Sequence, residues 1–571
     1  MIKQSRFKIT QPRTTIEIHL DDGSVLTGPR GATVEEILKA VERPNQPPIV
    51  GAIVNNQLRE LTYTISMDAN IKPVTMAQAD GMRFYRRSLT FLLEAAFYDL
   101  FPNATLAIDH SVSSGGYFCQ VYDRAPLDEE DLSSCEARMR ALVAEDLPFI
   151  RHEVPLNEAI EYFKSINQFD KVRLLAHRKK KYLVLYSLGK HKDYHHGYMV
   201  PSTGYLKWFA LTKASDGFTL RFPRRFRPTE ILPISAYPKL LETFQQYGSW
   251  LQHLGIDDVG ALNDTIQSGR IQEAIQIAEA FHEQRIAEIA GYIAKLSKNV
   301  HIVLIAGPSS SGKTTFSKRL SIHLLALGIS PYPLELDNYF VDRELTPRDE
   351  NGKYDFESIK ALDRKQLCSD LEHLINGDEV QLPKYNFLEG KQETGDKIKL
   401  NPGQILILEG IHGLNPDLIP EIPSKQTFRI YASALTQLNL DRHNRVSTTD
   451  TRLIRRIVRD ARDRGYTAEQ TINNWESVRR GEKRYIFPYQ ENADVMFNSA
   501  LVYELSALKP LAEPVLRQVP FGTSAYIEAK RLLTFLEWFL PIEEYLIPDN
   551  SILREFIGSS ILKDFRLWKA G

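Results

Sequence analysis

Cysteine is scarce: three in 571 residues, Cys119, Cys135 and Cys368, with no CxxC among them. Three thiols cannot all pair within one chain, so a disulfide scaffold and a cysteine-built zinc ribbon are both excluded. Reduced thiols point to a cytoplasmic protein. No run of ~18 apolar residues occurs, so nothing is expected to cross a membrane. The opening stretch MIKQSRFKITQPRTT lacks an apolar core, so no signal peptide is expected. Charge of one sign is lacking too. The formal net charge is −1, which leaves no global field to draw the chain to nucleic acid or acidic membranes. Internal repeats and low-complexity segments are absent. What is present is ordinary for a globular protein: 43% hydrophobic and 25% charged residues. At about 100–200 residues per domain, the length suits three or four domains.

The chain divides by pattern. In residues 1–80, TTIEIHL alternates apolar and polar like a half-buried strand, and Asp21-Asp22-Gly23 supplies a hairpin turn. Thr33 and Glu36 form a capping box ahead of VEEILKAV, and PIVGAIVNNQLREL gives a strand and an Asn-rich turn. This order suggests a ubiquitin-like roll. Residues 81–250 are mixed α+β. SLTFLLEAAFYDLF and DEEDLSSCEARMRALVAED read as helices, KKYLVLYSL and TGYLKWFAL as strands. Residues 251–298 form a helical connector. From 299 to 502 the pattern changes. HIVLIAG is a continuous apolar strand of the kind buried on both faces of a parallel sheet. Further strands fall at PYPLEL, GQILILEG, TFRIYA and ADVMFN with helices between, which predicts a doubly wound α/β domain. In 503–571, AYIEAKRLLTFLEWFLPI reads as a helical extension.

The strongest chemical signal is Gly307-Pro308-Ser309-Ser310-Ser311-Gly312-Lys313-Thr314, a G-x-x-x-x-G-K-[ST] loop between a buried strand and the helix TTFSKRLSIHLLAL. Such a loop wraps phosphates with backbone N–H groups, Thr315 included, and the helix start adds its dipole. Lys313 brings charge to the β- and γ-phosphates, and Thr314 offers a hydroxyl to Mg²⁺. Asp337, read as ending PYPLEL, and Glu409, ending QILILEG, point at the same crevice, because ligands gather at the C-terminal edge of parallel strands. Either could accept a proton from an attacking hydroxyl, and both could hold Mg²⁺. Along Arg452–Arg464, Arg452, Arg455, Arg456 and Arg459 share one arc about 100° wide, opposite Leu453, Ile454, Ile457, Val458 and Ala461. The helix is therefore expected to pack one side and present guanidinium groups on the other, stopping at Gly465.

With GPSSSGKTT, LDNYF, YDFE, PKYNF, LILEG and DTRLIRRIVRD in that order, residues 300–500 resemble the uridine kinase family, relatives of phosphoribulokinase. The resemblance implies transfer of the γ-phosphate of ATP or GTP to the 5′-hydroxyl of a nucleoside. It casts Asp337 as catalytic base and also beside the metal, and Thr314 and Glu409 as the magnesium pair. Glu357 falls on the ribose and Tyr385 near the base. Arg456, Arg459 and Arg464 become substrate-contacting or lid arginines. Phe340, Asn386 and Gly390 depart from the family's usual Tyr, Asp and base-reading His, so the identity of the base stays open. The competing reading is a nucleotide-sensing, RNA-binding regulator, or a kinase for another hydroxylated molecule. Asp337 separates catalysis from sensing, since a sensor needs no general base.

Residues 14–76 resemble a TGS domain. Residues 81–230 resemble the editing-type second domain of threonyl-tRNA synthetase, through SLTFLLEAAFYDLFP, SSGGYF and HHGYMVPSTGYLKWFAL. Its four chemically active positions carry Arg87, Phe91, His195 and Met199 here, so a binding or regulatory module is expected rather than a hydrolase. His191, His195 and His196 read as a surface or core cluster, not a metal site, because no cysteine lies near. Two basic runs, Arg178–Lys181 and RFPRRFRP at 221–228, are candidates for RNA contact, with a solvated loop the plainer reading. Oligomeric state is not readable, a homo-oligomer included.

Overall fold

The computed structural model describes residues 11–42, 46–112, 115–348, 352, 354–386 and 389–565. Of the sequence motifs, Ser113 and Ser114 of SSGGYF and Phe387 of PKYNF lie outside the described residues.

The N-terminal unit is a five-stranded sheet in the order Val25–Pro29, Thr15–Leu20, Ala69–Thr75, Ile49–Val54, Gln57–Arg59. Thr15–Leu20 and Ala69–Thr75 pair in parallel and the other three pairings are antiparallel. Gly23, at φ +84°, closes the first hairpin, where Asp22 accepts a hydrogen bond from the Ser24 amide at 3.0 Å. Thr33 and Glu36 form the expected capping box on the helix Val34–Lys39.

The next unit is built on the 22-residue helix Ala79–Leu100. Leu89, Leu92, Leu93 and Phe97 are fully buried against a four-stranded antiparallel sheet formed by Ala210–Ala214, Gly217–Arg221, Gly116–Tyr122 and Thr105–Val112. A smaller antiparallel sheet joins His191–Asp193, Tyr182–Leu188 and Ile150–Pro155. TGYLKWFAL is not one strand: Thr203–Tyr205 is a 3₁₀ turn and the strand begins at Ala210. Polar groups there, backbone and side chain, are taken by other partners. The Trp208 amide donates to Tyr85 Oη at 2.9 Å, and Thr203 Oγ1 donates to the Leu142 carbonyl at 2.6 Å.

Helices Pro238–Leu254, Val259–Gln267 and Ile271–Leu296 lead to the C-terminal half. Its sheet is parallel throughout, in the order Pro331–Glu335, Ile405–Glu409, Ile302–Ala306, Thr427–Ser433, Val495–Asn498. All five strands are those expected from the apolar runs. The central strand is buried along its whole length, as a sheet covered on both faces requires. Helices Glu504–Leu516 and Tyr526–Leu536 follow, the second shorter than the apolar stretch suggests because the helix ends ahead of Pro541.

The halves interlock. The Ile108 amide donates to the Arg442 carbonyl at 2.8 Å. Lys171 Nζ lies 3.1 Å from Asp193 and 3.0 Å from Asp441. Arg83 pairs with Glu528 at 3.0 Å. The basic run at 178–181 is used in this docking: Arg178 stacks 4.5 Å over Trp538, and Lys180 pairs with Glu537 at 2.7 Å.

Candidate functional site

Strand Ile302–Ala306 delivers the loop 307–312 to the start of helix Lys313–Ala326. Gly307 passes so close to its neighbour that a Cβ would sit 1.9 Å from the Ala432 carbonyl oxygen. Gly312 has φ +81°, and a Cβ there would meet Ile552 Cγ2 at 2.5 Å. Both glycines are thus required by the course of the backbone. Lys313 Nζ donates to the Pro308 carbonyl at 3.2 Å, folding back over its own loop.

A cavity of about 210 Å³ opens at this helix start, lined by Ser309–Thr314, Asp337, Glu357, Arg456, Arg459 and Arg464 among others. Backbone amides of the loop already meet anionic oxygens. The Ser309 amide donates to Glu482 Oε1 at 3.1 Å and the Thr315 amide to Glu555 Oε2 at 3.1 Å. The hydroxyls of Ser310 and Ser311 are buried without a hydrogen-bond partner. These are polar groups awaiting an acceptor.

Asp337 lies two residues beyond its strand, in the 3₁₀ turn Leu336–Tyr339, rather than ending the strand as expected. Its carboxyl is raised above the usual range, chiefly by burial. Lys313 opposes the shift, Glu335 adds to it, and Arg464 opposes it. Glu409 does end its strand and accepts from Thr314 Oγ1 at 2.8 Å. Burial pushes Glu409 up to about 7, against the pull of Lys313. Glu357 is pushed to about 7 by burial and by Glu482, against Arg456 and Lys313. Two carboxylates and a hydroxyl form a hard-oxygen donor set, which fits magnesium.

The arginine helix, Thr448–Asp463, differs from expectation. Arg452 and Arg455 are buried, at 1% and 0% exposure. Arg452 Nη2 donates to Glu482 at 2.9 Å, and Arg455 is held by Glu504 and the Ser499 carbonyl. Helical angle fixes direction but not surroundings, and helices Ala468–Tyr485 and Glu504–Leu516 bring acids over this face. Arg456, Arg459 and Arg464 do line the cavity, with Arg456 Nη1 donating to Ser309 Oγ at 2.7 Å. Tyr385 is buried in strand Glu379–Asn386, its ring 5.6 Å from that of Phe340, and is not among the residues lining the cavity.

Sequence reasoning passes over Glu482 and Glu555. Glu482 sits in the charged helix NNWESVRRGEKRY, where one acid among basic residues reads as solvated. Glu555 comes from the C-terminal extension, which carries no motif.

A five-stranded parallel sheet with this loop at the C-terminal end of its central strand defines a P-loop kinase domain. Residues 302–506 match the Phosphoribulokinase / Uridine kinase family. Over the N-terminal half the chain is similar to threonine--tRNA ligases. It is 34% identical over 204 residues to that of Polaromonas naphthalenivorans, covering 36% of this chain and 32% of the relative. With the ligase of Laribacter hongkongensis it is 33% identical over 202 residues, 35% and 32% of the two chains. The chain thus spans about a third of the length of these curated relatives. Among solved structures, D-glycerate 3-kinase from Cryptococcus neoformans aligns at 14% identity and TM-score 0.25, over 35% of this chain and 87% of that one. Among the described residues, no helix is long and apolar enough to cross a membrane.

Proposed function

We propose that this protein is a cytoplasmic, magnesium-dependent nucleoside kinase that moves the γ-phosphoryl group of ATP or GTP to the 5′-hydroxyl of a nucleoside such as uridine or cytidine. The observation that carries this reading is the single cavity shared by Lys313, Asp337, Glu357, Arg456, Arg459 and Arg464. Asp337, with its raised proton affinity, takes the proton of the attacking hydroxyl. Lys313 carries charge to the transferring phosphate, and Arg459 and Arg464 stabilise the charge that spreads over its oxygens. Glu357 and Arg456 hold the ribose side of the acceptor. Tyr385 is assigned to the base on family resemblance alone. Thr314 and Glu409, with Asp337, would hold Mg²⁺, which when bound neutralises charge on the β- and γ-phosphates. The N-terminal half is assigned a binding or regulatory role.

The test is ADP release measured with a panel of nucleosides. Turnover that requires one nucleoside class, and that falls at least about tenfold in Lys313→Ala, is expected. Hydrolysis of ATP at the same rate with and without every nucleoside would overturn the assignment and favour a nucleotide sensor.

A further inference from the structure

Helix Ala79–Leu100 carries a glutamate, Glu94, in its core-facing stripe, with a side chain 0% exposed. A carboxylate is kept at such a depth only if something pairs with it. Three imidazoles converge on it. His195 Nε2 lies 3.1 Å from Glu94 Oε2, His191 Nε2 lies 3.3 Å away, and His443 Nδ1 lies 3.5 Å away. The other oxygen, Oε1, has no hydrogen-bond partner although His195 Nε2 is 3.0 Å from it. Ligand-capable atoms of Glu94, Asp193 and His195 all lie within 4.8 Å of one another. Two ligands bound tetrahedrally at ~2.0–2.1 Å from one zinc ion sit ~3.3 Å apart, close to the 3.0 and 3.1 Å between His195 Nε2 and the two oxygens of Glu94.

Charge points the same way. The side chains of Glu94, Asp193 and Asp441 are fully buried and that of Asp170 is 9% exposed. Lys171 and Arg442 are the Lys and Arg side chains within salt-bridge distance of these acids. Four carboxylates against two such cations leave the cluster short of two positive charges. One divalent ion supplies them with the histidines neutral; otherwise two imidazoles must each take a proton.

We infer that Glu94, Asp193 and His195 form a buried three-ligand site for a divalent transition-metal ion of the zinc class where the synthetase-like half meets the kinase domain. The imidazole donor and the burial of all three ligands favour zinc over magnesium. The surrounding contacts are those that orient metal ligands. Asp193 Oδ2 accepts from His443 Nδ1 at 2.6 Å, and Asp193 Oδ1 faces Lys171 at 3.1 Å. All three ligands come from the synthetase-like half, and the kinase half reaches the site through His443, which holds the ligand Asp193. The sequence alone does not reveal this site, since Glu94 stands about 100 residues before the histidines and the pair His191/His195 reads as an isolated i, i+4 spacing.

The test uses the full chain, purified without chelator and held in excess Mg²⁺ so that the acids of the P-loop cavity are occupied. About one zinc per chain, retained through dialysis and measured by plasma emission, is expected. Cobalt substitution is expected to give visible absorption bands of a four- or five-coordinate ion. Glu94→Gln and His195→Asn should each cut zinc content at least about tenfold while nucleotide binding is kept. If a variant fails to fold, zinc titration of the wild-type chain against a chromophoric chelator decides by itself. Wild-type protein that neither retains nor takes up zinc, and whose thermal midpoint ignores added zinc, overturns the inference. A midpoint that instead rises as pH falls from 8 to 6 would then assign the missing charges to imidazolium.

Discussion

A carboxyl group that must receive a proton works best with its pKa moved toward the working pH, and burial moves Asp337 in that direction. Asn keeps the shape of the side chain and removes the basic oxygen. Asp337→Asn is therefore expected to bind ATP within about threefold of wild type and to lose kcat by ~10²–10⁴-fold. Nucleotide titration beside steady-state rates checks both halves. Glu409 offers a pH signature. Its folded pKa of about 7 lies above the ordinary 4.5, so between those values the folded chain binds the extra proton. Its unfavourable contribution is absent below the unfolded value and is fully felt above pH 7. Glu409→Gln should then raise the thermal midpoint of the ligand-free protein at pH 8, leave it unchanged near pH 4.5, and abolish Mg²⁺-dependent turnover. A gain that is the same at both pH values would remove Glu409 from this account. Lys313, Thr314 and Glu409 are readable in the sequence because each sits at a strand end or helix start that periodicity locates, and Asp337 falls two residues past such an end. Glu482 and Glu555 are not readable, because only the fold brings them to the loop.

The helix Thr448–Asp463 shows the same boundary at the scale of an element. Its apolar stripe and its stop at Gly465 follow from spacing, whereas the fate of its arginines depends on which helices close over them. Arg452 is paired with Glu482, which also meets Arg479 at 3.2 Å and the Ser309 amide. Removing Arg452 leaves a buried carboxylate with one cation in place of two. Arg452→Ala should cost about 3–5 kcal/mol, toward the lower figure because Arg479 remains, as read by urea unfolding. The C-terminal segment poses a different question. Glu555 places a carboxylate on the Thr315 amide, at the helix start where a phosphate would be bound. Nucleotide must displace that carboxylate or bind beside its charge. Glu555→Ala is expected to tighten ATP binding by about threefold or more, measured by calorimetry at low salt, with the gain shrinking as salt is raised. Weaker binding in the variant would mean that Glu555 serves the nucleotide instead of competing with it.

Across the whole molecule, the parallel sheet and the ubiquitin-like roll are legible because short apolar strands and capped helices announce themselves locally. The docking of the halves is not legible, because it rests on buried ion pairs such as Lys171 with Asp441, 270 positions apart. That docking also bears on what the synthetase-like half can do. Hydrolysis of an aminoacyl ester needs a held water and a group to activate it or to stabilise the oxyanion. Here the four relevant positions are filled or engaged. Phe91 is fully buried, its ring 5.4 Å from that of His195. Met199 is buried, and its amide donates to Glu60 at 3.0 Å. Arg87 bonds the Tyr198 carbonyl and presses against Gly197. His195, the remaining base, is turned onto Glu94. With His195 engaged by Glu94 and packed against the buried Phe91, the full-length chain is expected to leave seryl-tRNA specific for threonine at its spontaneous rate of deacylation. The full chain is the right sample, because His443 and Asp441 of the kinase half complete the surroundings of His195. Deacylation clearly above that rate, and lost in His195→Ala, would show that His195 leaves Glu94 to act on a substrate, and the packing around Phe91 would have to open to admit one.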